Sequence, residues 1–370
     1  MNIFVSLVIA VLFFNLTGCS KKAKVIKIGA VAAITGDQAA IGQDLINGVA
    51  MAIDEANAIG GINGVQLELY ALDDKADPKE AVNAAHKFAV DDDVLAVIGH
   101  LNSGCTIPAS AVYHDAQLVM ITPSATNPAI TGQGFENIFR VCVTDDIQGG
   151  NSGEFAVKKL KKTRIAIIHD KSAYGQGLAE EFKKSVTNLG AQVLSFEGIT
   201  PREMDYTAVL TKIKGTKPEL LYFGGMYTEG ALLVKQIKGL GIKTIFMGGD
   251  GLFVPEFIKL SGASSEGSIM SFLALPYNEV ESAKNFVEKF TQKYGEIKTY
   301  APYAYDAAKI VIEAIKRAGK LDRKIVLNEM RNTKDFDGIT GKTSFDEKGD
   351  NLNKQIYFYQ VKNGKFIWLK

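Results

Sequence analysis

The stretch VIKIGAVAAITGDQAAIGQDLINGVAMAIDEANAIGG, residues 25–61, decides the fold class. Its first ten residues are almost all apolar and lack the alternation of a half-exposed strand, so they predict a strand buried on both faces. After a small polar loop the period changes. Leu45, Val49, Ala52, Ile53 and Ala56 recur at the spacing of one helical face, and Gly60-Gly61 ends the run. A buried strand followed by an amphipathic helix is the unit of a parallel sheet covered by helices.

The unit repeats along the chain. VQLELYALDD reads as strand and DPKEAVNAAHKFAVDD as helix, with Asp77 as N-cap and Pro78 at the first helical position. VLAVIGH, TIPASAVYHDA and LVMIT continue as strand, helix and strand. A second series begins after NIFRVCVTDD: TRIAIIHD, YGQGLAEEFKKSVTNLG, QVLSFEGI, DYTAVLTKIKG, ELLYFGG, GALLVKQIKGLG, TIFMGGDG and PEFIKLSG. Helical stretches follow at 283–294, 301–318 and 323–331. The chain closes with IYFYQV and KFIWLK around Lys362-Asn363-Gly364, where Asn-Gly favours a hairpin turn. Two tandem β-α series in 370 residues predict an α/β protein with two doubly wound parallel-sheet lobes.

The composition, 46% hydrophobic and 22% charged, is that of a soluble globular chain. With a net charge of +1 and no basic block, no nucleic-acid partner is expected. Residues 1–19, MNIFVSLVIAVLFFNLTGC, stand apart. The apolar run from Ile3 to Phe14 is short for a bilayer span and suits a signal-peptide core, although the segment carries no Lys or Arg. It ends in Leu16-Thr17-Gly18-Cys19, which resembles a bacterial lipobox. The expectation is a signal peptide at 1–18, lipidation at Cys19, a tether at 19–23, and an extracytoplasmic protein held at a membrane by its lipid. Cys105 and Cys142 remain; in an exported protein they can pair or stay as two small thiols, and both readings stand. The four histidines have no metal-ligand spacing, so neither metal nor cofactor is expected.

Ligands of doubly wound sheets bind beyond the carboxyl ends of the strands, which selects the loops to inspect. These are GHLNSGC (99–105), TPSATNP (122–128), HDKSAYGQG (169–177), GGMYTEG (224–230) and GGDGLF (248–253). Small hydroxyl-bearing loops and a helix start near Ser103 suit a carboxylate, and Asp250 suits an ammonium, so together they fit a small zwitterion. Catalytic patterns are missing. Ser103 lacks the glycine two residues before it that a nucleophile elbow needs, and no G-x-G-x-x-G follows the first strand. GITGKTSF (338–345) has Phe336 where a phosphate loop needs its first glycine, and it reads as a turn. The pairs Asp73-Asp74 and Asp145-Asp146 read as caps or turn formers. No enzyme activity is expected.

Several segments carry a resemblance: KIGAVAAITGDQAAIGQDLINGVAMAIDEANAIGGING, DDKADPKEAV, VIGHLNSGCTIPAS, ITPSATNPAIT, RIAIIHDKSAYGQGLAEEF and FDEKGD. In order and over essentially the whole chain after Cys19, they resemble the leucine/isoleucine/valine-binding proteins of branched-chain amino-acid ABC importers. The resemblance implies a periplasmic-binding-protein type I fold with a three-segment hinge. Residues 24–144 and 275–350 would form one lobe, and 145–274 and 351–370 the other. It implies a monomeric receptor that captures an α-amino acid and delivers it to an ABC importer permease. A ligand-sensing domain of the same fold, or a binder of another small amino acid, an amide or an aromatic acid, is the alternative.

Matched by position, Ser103, Ser124, Ala125 and Thr126 fall where the family holds the ligand's carboxylate and part of its ammonium. Asp250 falls on the acid for the ammonium, and Tyr174 on a tyrosine of the closing lobe. Departures fall on the side-chain end. Asp250 is shorter than the family's glutamate. Met226, with Tyr227 beside it, replaces a tyrosine, Ile41 replaces a tryptophan, and Ala76 and Asn102 replace a cysteine pair.

Overall fold

The computed structural model describes residues 25–370, so the expected signal peptide, Cys19 and the tether lie outside the described residues. Five parallel strands form the first sheet in the order β2-β1-β3-β4-β5. They are β1 (Ile26–Ala32), β2 (Leu67–Asp73), β3 (Val94–Gly99), β4 (Val119–Thr122) and β5 (Ile138–Arg140). The helices threaded between them are α1 (Ala39–Ala58), α2 (Pro78–Ala89), α3 (Ser103–Asp115) and the short α4 (Ala129–Gly132). The second sheet has the order β14-β13-β10-β9-β8-β6-β7. Its parallel part is β6 (Arg164–His169), β7 (Gln192–Gly198), β8 (Leu220–Gly224), β9 (Ile245–Gly248) and β10 (Ile269–Phe272).

Around the second sheet run α5 (Asp145–Glu154), α6 (Ala173–Asn188), α7 (Thr207–Thr216), α8 (Tyr227–Gly239) and α9 (Pro255–Ser261). The chain then returns to the first sheet with α10 (Lys284–Tyr294), α11 (Ala301–Ala318) and α12 (Arg323–Arg331). α11 packs along α1 so closely that a Cβ on Gly48 would lie 2.2 Å from the Ala301 carbonyl oxygen. A small hairpin, β11 (Phe336–Gly338) and β12 (Gly341–Thr343), precedes the final crossing to β13 (Tyr357–Lys362) and β14 (Lys365–Trp368).

The local chemistry accounts for these elements. β3, β4 and β8 are buried at every position, as their unbroken apolar runs require. Asp77 caps α2 by accepting from the Lys79 and Glu80 amides. Asn363 and Gly364 both take positive φ in the two-residue turn between β13 and β14. The phosphate-like GITGKTSF turn is filled by the protein itself, because Asp306 accepts from the Ile339 and Thr340 amides and the Thr340 hydroxyl. Cys105 and Cys142 are both buried free thiols, which resolves their open pairing in favour of no bond.

In the first sheet the strand order reverses between β1 and β3, and in the second between β6 and β8. The crevices at such reversals are where doubly wound sheets take ligands. Here they are bordered by residues 33–38 and 100–103 on one side and 170–173 and 225–227 on the other, and the two crevices face each other.

Candidate functional site

A small inner chamber of about 20 Å³ lies between the lobes, lined by Leu101, Asn102, Ser103, Ser124, Tyr174, Met226, Gly251 and Tyr300. Asn102, Ser103, Tyr174 and Met226 also border a cleft of about 1060 Å³ that continues outward. The chamber is therefore the inner end of one continuous inter-lobe space.

On the first lobe the walls are held by short polar contacts. Thr122 donates its hydroxyl to the His100 carbonyl and accepts the Ser124 and Ala125 amides, which folds 122–127 back against the end of β3. Ser124 donates to the Leu101 carbonyl at 3.0 Å. Ser103 opens α3 and accepts the Asn127 amide, leaving its hydroxyl hydrogen to point elsewhere. The first amides of α3 have no partner within the helix, so with Ser103 they form a donor group suited to a carboxylate. Behind this wall the fully buried Arg140 donates to the Ala125 and Asn127 carbonyls, the Thr131 hydroxyl and Asp350. The carbonyl of Ala125 is thus engaged by Arg140.

The second lobe brings the acids. Asp250 is buried, with the Tyr174 phenol donating to one carboxylate oxygen at 2.7 Å and the Tyr300 phenol donating to the other. Tyr174 also accepts the Gly251 amide at 2.9 Å. This contact needs bare backbone: a Cβ on Gly249 would fall 2.8 Å from the Tyr174 hydroxyl. Burial pushes the Asp250 carboxyl up from its ordinary range, and the two phenols pull it partly back. With one methylene less than a glutamate, Asp250 stops behind Tyr174 and Tyr300 and is not itself among the residues lining the chamber.

Asp145, in the first turn of α5, is fully buried, and no donor meets either carboxylate oxygen in full hydrogen-bond geometry. Its amide donates to the Thr126 carbonyl, and the Thr126 hydroxyl is the side-chain donor beside its carboxyl. Burial drives the Asp145 carboxyl well above its ordinary value, the Thr126 hydroxyl pulls it partly back, and the neighbouring Asp250 charge adds to the rise. Such incompletely satisfied groups carry a desolvation cost unless a donor reaches them.

The sequence-based expectations divide here. Ser103, Ser124, Tyr174, Met226 and Asn102 converge on the chamber, and Thr126 and Asp250 lie just behind it. Tyr227 does not line either cavity; its hydroxyl crosses the cleft to the Asp37 carbonyl at 2.6 Å. Ile41 is displaced from its expected place. It is fully buried in the first-lobe core, and Gln38, three residues earlier, borders the cleft instead. The reason is periodic, since Ile41 precedes Leu45 by one helical turn on the core-facing stripe of α1. Sequence reasoning missed Tyr300, Asp145 and Gln38. Asp145 gave a faint signal as an acid in a helix's first turn, whereas Tyr300 arrives from a segment remote from every strand-end loop.

Against this geometry, residues 25–365 match the sequence model of the periplasmic binding protein family. The chain belongs to that family. A Leu/Ile/Val-binding protein homolog from Brucella abortus is 38% identical over 92% of this chain and 91% of its own. The crystal structure of a leucine-binding protein from Thermotoga maritima aligns with a TM-score of 0.88 at 31% identity, covering 94% of this chain and 98% of the other. A branched-chain amino-acid transporter substrate-binding protein from Streptococcus pneumoniae, solved with isoleucine, aligns with a TM-score of 0.87 at 32% identity, covering 93% and 98%.

As a periplasmic binding protein, the chain has the type I architecture of two parallel-dominated lobes around a cleft. Contacts across that cleft hold its lobes together outside the chamber. Arg202 pairs with Asp37 at 2.9 Å, and Asn127 donates to the Ala173 carbonyl at 2.6 Å. Among the described residues no helix is long and apolar enough to cross a membrane, and no group of His, Cys, Asp and Glu is arranged to hold a metal ion.

Proposed function

We propose that this protein is an extracytoplasmic receptor that captures an α-amino acid of the leucine/isoleucine/valine group between two closing lobes and delivers it to an ABC importer permease. One lobe comprises residues 24–144 and 275–350, and the other 145–274 and 351–370. Ser103, the first amides of α3, Ser124 and Thr126 take the carboxylate. The ammonium reaches the acids Asp250 and Asp145 beside Tyr174 and Tyr300. Met226 and Asn102 meet the side chain. The protein acts as a monomer, and Cys19 carries the lipid that keeps it at the membrane.

The reading rests above all on one observation, the meeting at one chamber of two opposite demands: the donors around Ser103 and, directly behind Tyr174 and Tyr300, the buried acid Asp250. A zwitterion satisfies both demands at once, whereas a neutral sugar or a simple anion satisfies one and aggravates the other. Titration calorimetry of the purified protein with the amino acids tests it. Leucine, isoleucine and valine are expected to bind near about 1 μM, equivalent to about −8 kcal/mol. Absence of heat with every α-amino acid removes the reading.

A further inference from the structure

Behind the first-lobe wall of the chamber lies a buried polar triad. Asp74 follows β2, His100 follows β3 and Tyr113 stands in the last turn of α3, and all three are fully shielded from solvent. The His100 ring joins the other two. Its Nδ1 lies 2.7 Å from an Asp74 oxygen, and the Tyr113 hydroxyl meets its Nε2 at 3.0 Å. With the acid as acceptor, Nδ1 carries the hydrogen and the ring orientation is set. Burial holds the Tyr113 phenol well above its ordinary value, with the Asp74 charge adding to the effect, so it stays a hydroxyl. The other Asp74 oxygen accepts the Ala76 amide at 3.1 Å, in a turn where Lys75 and Ala76 both take positive φ. Such backbone is costly for residues with a Cβ and persists where its surroundings hold it.

His100 is tied through its backbone as well. Its carbonyl accepts the Thr122 hydroxyl at 2.9 Å, and Thr122 in turn receives the Ser124 and Ala125 amides. The next carbonyl, that of Leu101, receives the Ser124 hydroxyl. Three residues beyond His100, Ser103 opens α3. One residue therefore stands where the loops 99–105 and 122–128 are joined, and these are the two loops read as taking the carboxylate. A buried ring bonded at both nitrogens cannot shift without leaving a polar group unpaired, which makes this joint stiff. No member of the triad lines the chamber or the outer cleft.

We propose that His100, held between Asp74 and Tyr113, is the positioning residue of the carboxylate-binding wall: it keeps the Ser103 and Ser124 loops at one fixed separation without touching the ligand. This rests on the amino-acid-receptor reading above. Because its influence runs only through the first-lobe backbone, its loss falls on the carboxylate end of the ligand and spares the side-chain end.

The test combines leucine calorimetry with 13C NMR of uniformly 13C-labelled leucine at saturation, on the unaltered protein and on His100→Leu, His100→Asn and Tyr113→Phe. His100→Asn is the conservative variant, since an asparagine amide can donate to Asp74 from near the place of Nδ1. Leucine Kd should rise about tenfold or more in His100→Leu and by a smaller factor in Tyr113→Phe, with His100→Asn recovering part of the loss. In the bound leucine the carboxylate resonance should move in His100→Leu and Tyr113→Phe while the methyl resonances hold. A lowered urea midpoint with unchanged Kd and an unmoved carboxylate resonance would mean that the triad supports the fold alone, and overturns the proposal. So does a movement of all the leucine resonances together. If His100→Leu does not fold, Tyr113→Phe and His100→Asn decide by the same two readouts. No heat with any α-amino acid on the unaltered protein removes the receptor reading and this proposal with it.

Discussion

Tyr174 and Asp250 are joined by a 2.7 Å hydrogen bond in which the phenol donates and the carboxylate accepts, while the same phenol oxygen receives the Gly251 amide. The acid's position is therefore set by a tyrosine that also lines the chamber. Removing either member has a different consequence. Asp250→Ala deletes the charge and leaves the Tyr174 and Tyr300 phenols without their acceptor. Hydrogen bonds to charged groups contribute about 1.5–3 kcal/mol, so ligand affinity should fall roughly 10- to 100-fold. Met226→Leu changes shape alone and should cost less. Calorimetry in which Met226→Leu is the more damaging change would remove Asp250 from the ammonium's neighbourhood.

Tyr174→Phe should act on stability as well as on binding. It leaves one Asp250 oxygen and the Gly251 amide buried without partners, a loss of about 1–3 kcal/mol. Denaturant unfolding of the protein without added amino acid should register that loss, which a surface tyrosine would not produce.

Ligand affinity should rise as pH rises from the ordinary carboxylate range upward. Burial raises the Asp250 and Asp145 carboxyls above their ordinary values, so at the acid end both hold protons that an ammonium must displace. Stability without ligand runs the other way. Asp170 and Asp306 are both pushed up to about 6, chiefly by burial. A carboxyl raised in the folded state stabilises fully below its unfolded value of about 3.9, and that contribution is lost as pH rises through the folded value. These groups should therefore lower Tm between about pH 4 and 7, while added leucine gives an increasing Tm gain over the same range. Calorimetry in buffers of different ionisation enthalpy should detect proton release on binding. A pH-independent affinity with no released proton would mean that neither acid faces the ammonium.

Arg140 should be the costliest single residue to remove near the site. It is fully buried, pairs with Asp350 at 2.7 Å, and holds the Ala125 and Asn127 carbonyls. Breaking a buried pair from one side costs about 3–5 kcal/mol, so Arg140→Ala should lose a large share of the stability and misplace the 122–127 loop. Arg202→Ala, which breaks the exposed 2.9 Å pair with Asp37, should cost less than about 1 kcal/mol. Urea unfolding of the two variants side by side would separate them.

How much of this was legible in the sequence follows from the range of the interactions. Strand and helix periods are local, and so are the Asp77 cap and the Asn363-Gly364 turn. They could be read directly, as could the strand-end loops holding Ser103, Ser124 and Tyr174. Tyr300 was not legible, because its meeting with Asp250 spans 50 residues and depends on α11 packing against the first lobe. Ile41 was misread because a positional match overrode the helical stripe that carries it into the core. Asp145 reads as a cap or turn former, and only its full burial marks it as more than that.

The amino-terminal segment supports a last prediction. MNIFVSLVIAVLFFNLTGC places Cys19 after small residues and a short apolar run, the arrangement that lipoprotein processing needs. One acyl chain alone anchors only marginally, while the several chains added by that pathway hold a protein firmly. Cys19→Ser should therefore shift the protein from the membrane fraction to the soluble extracytoplasmic fraction, and metabolic labelling with a fatty acid should be lost with it. Ligand affinity of the released protein should be unchanged, because the residues proposed to hold the ligand all lie between 102 and 300. If the variant stays in the membrane fraction at an unchanged level, the apolar run itself is the anchor and Cys19 is not lipidated.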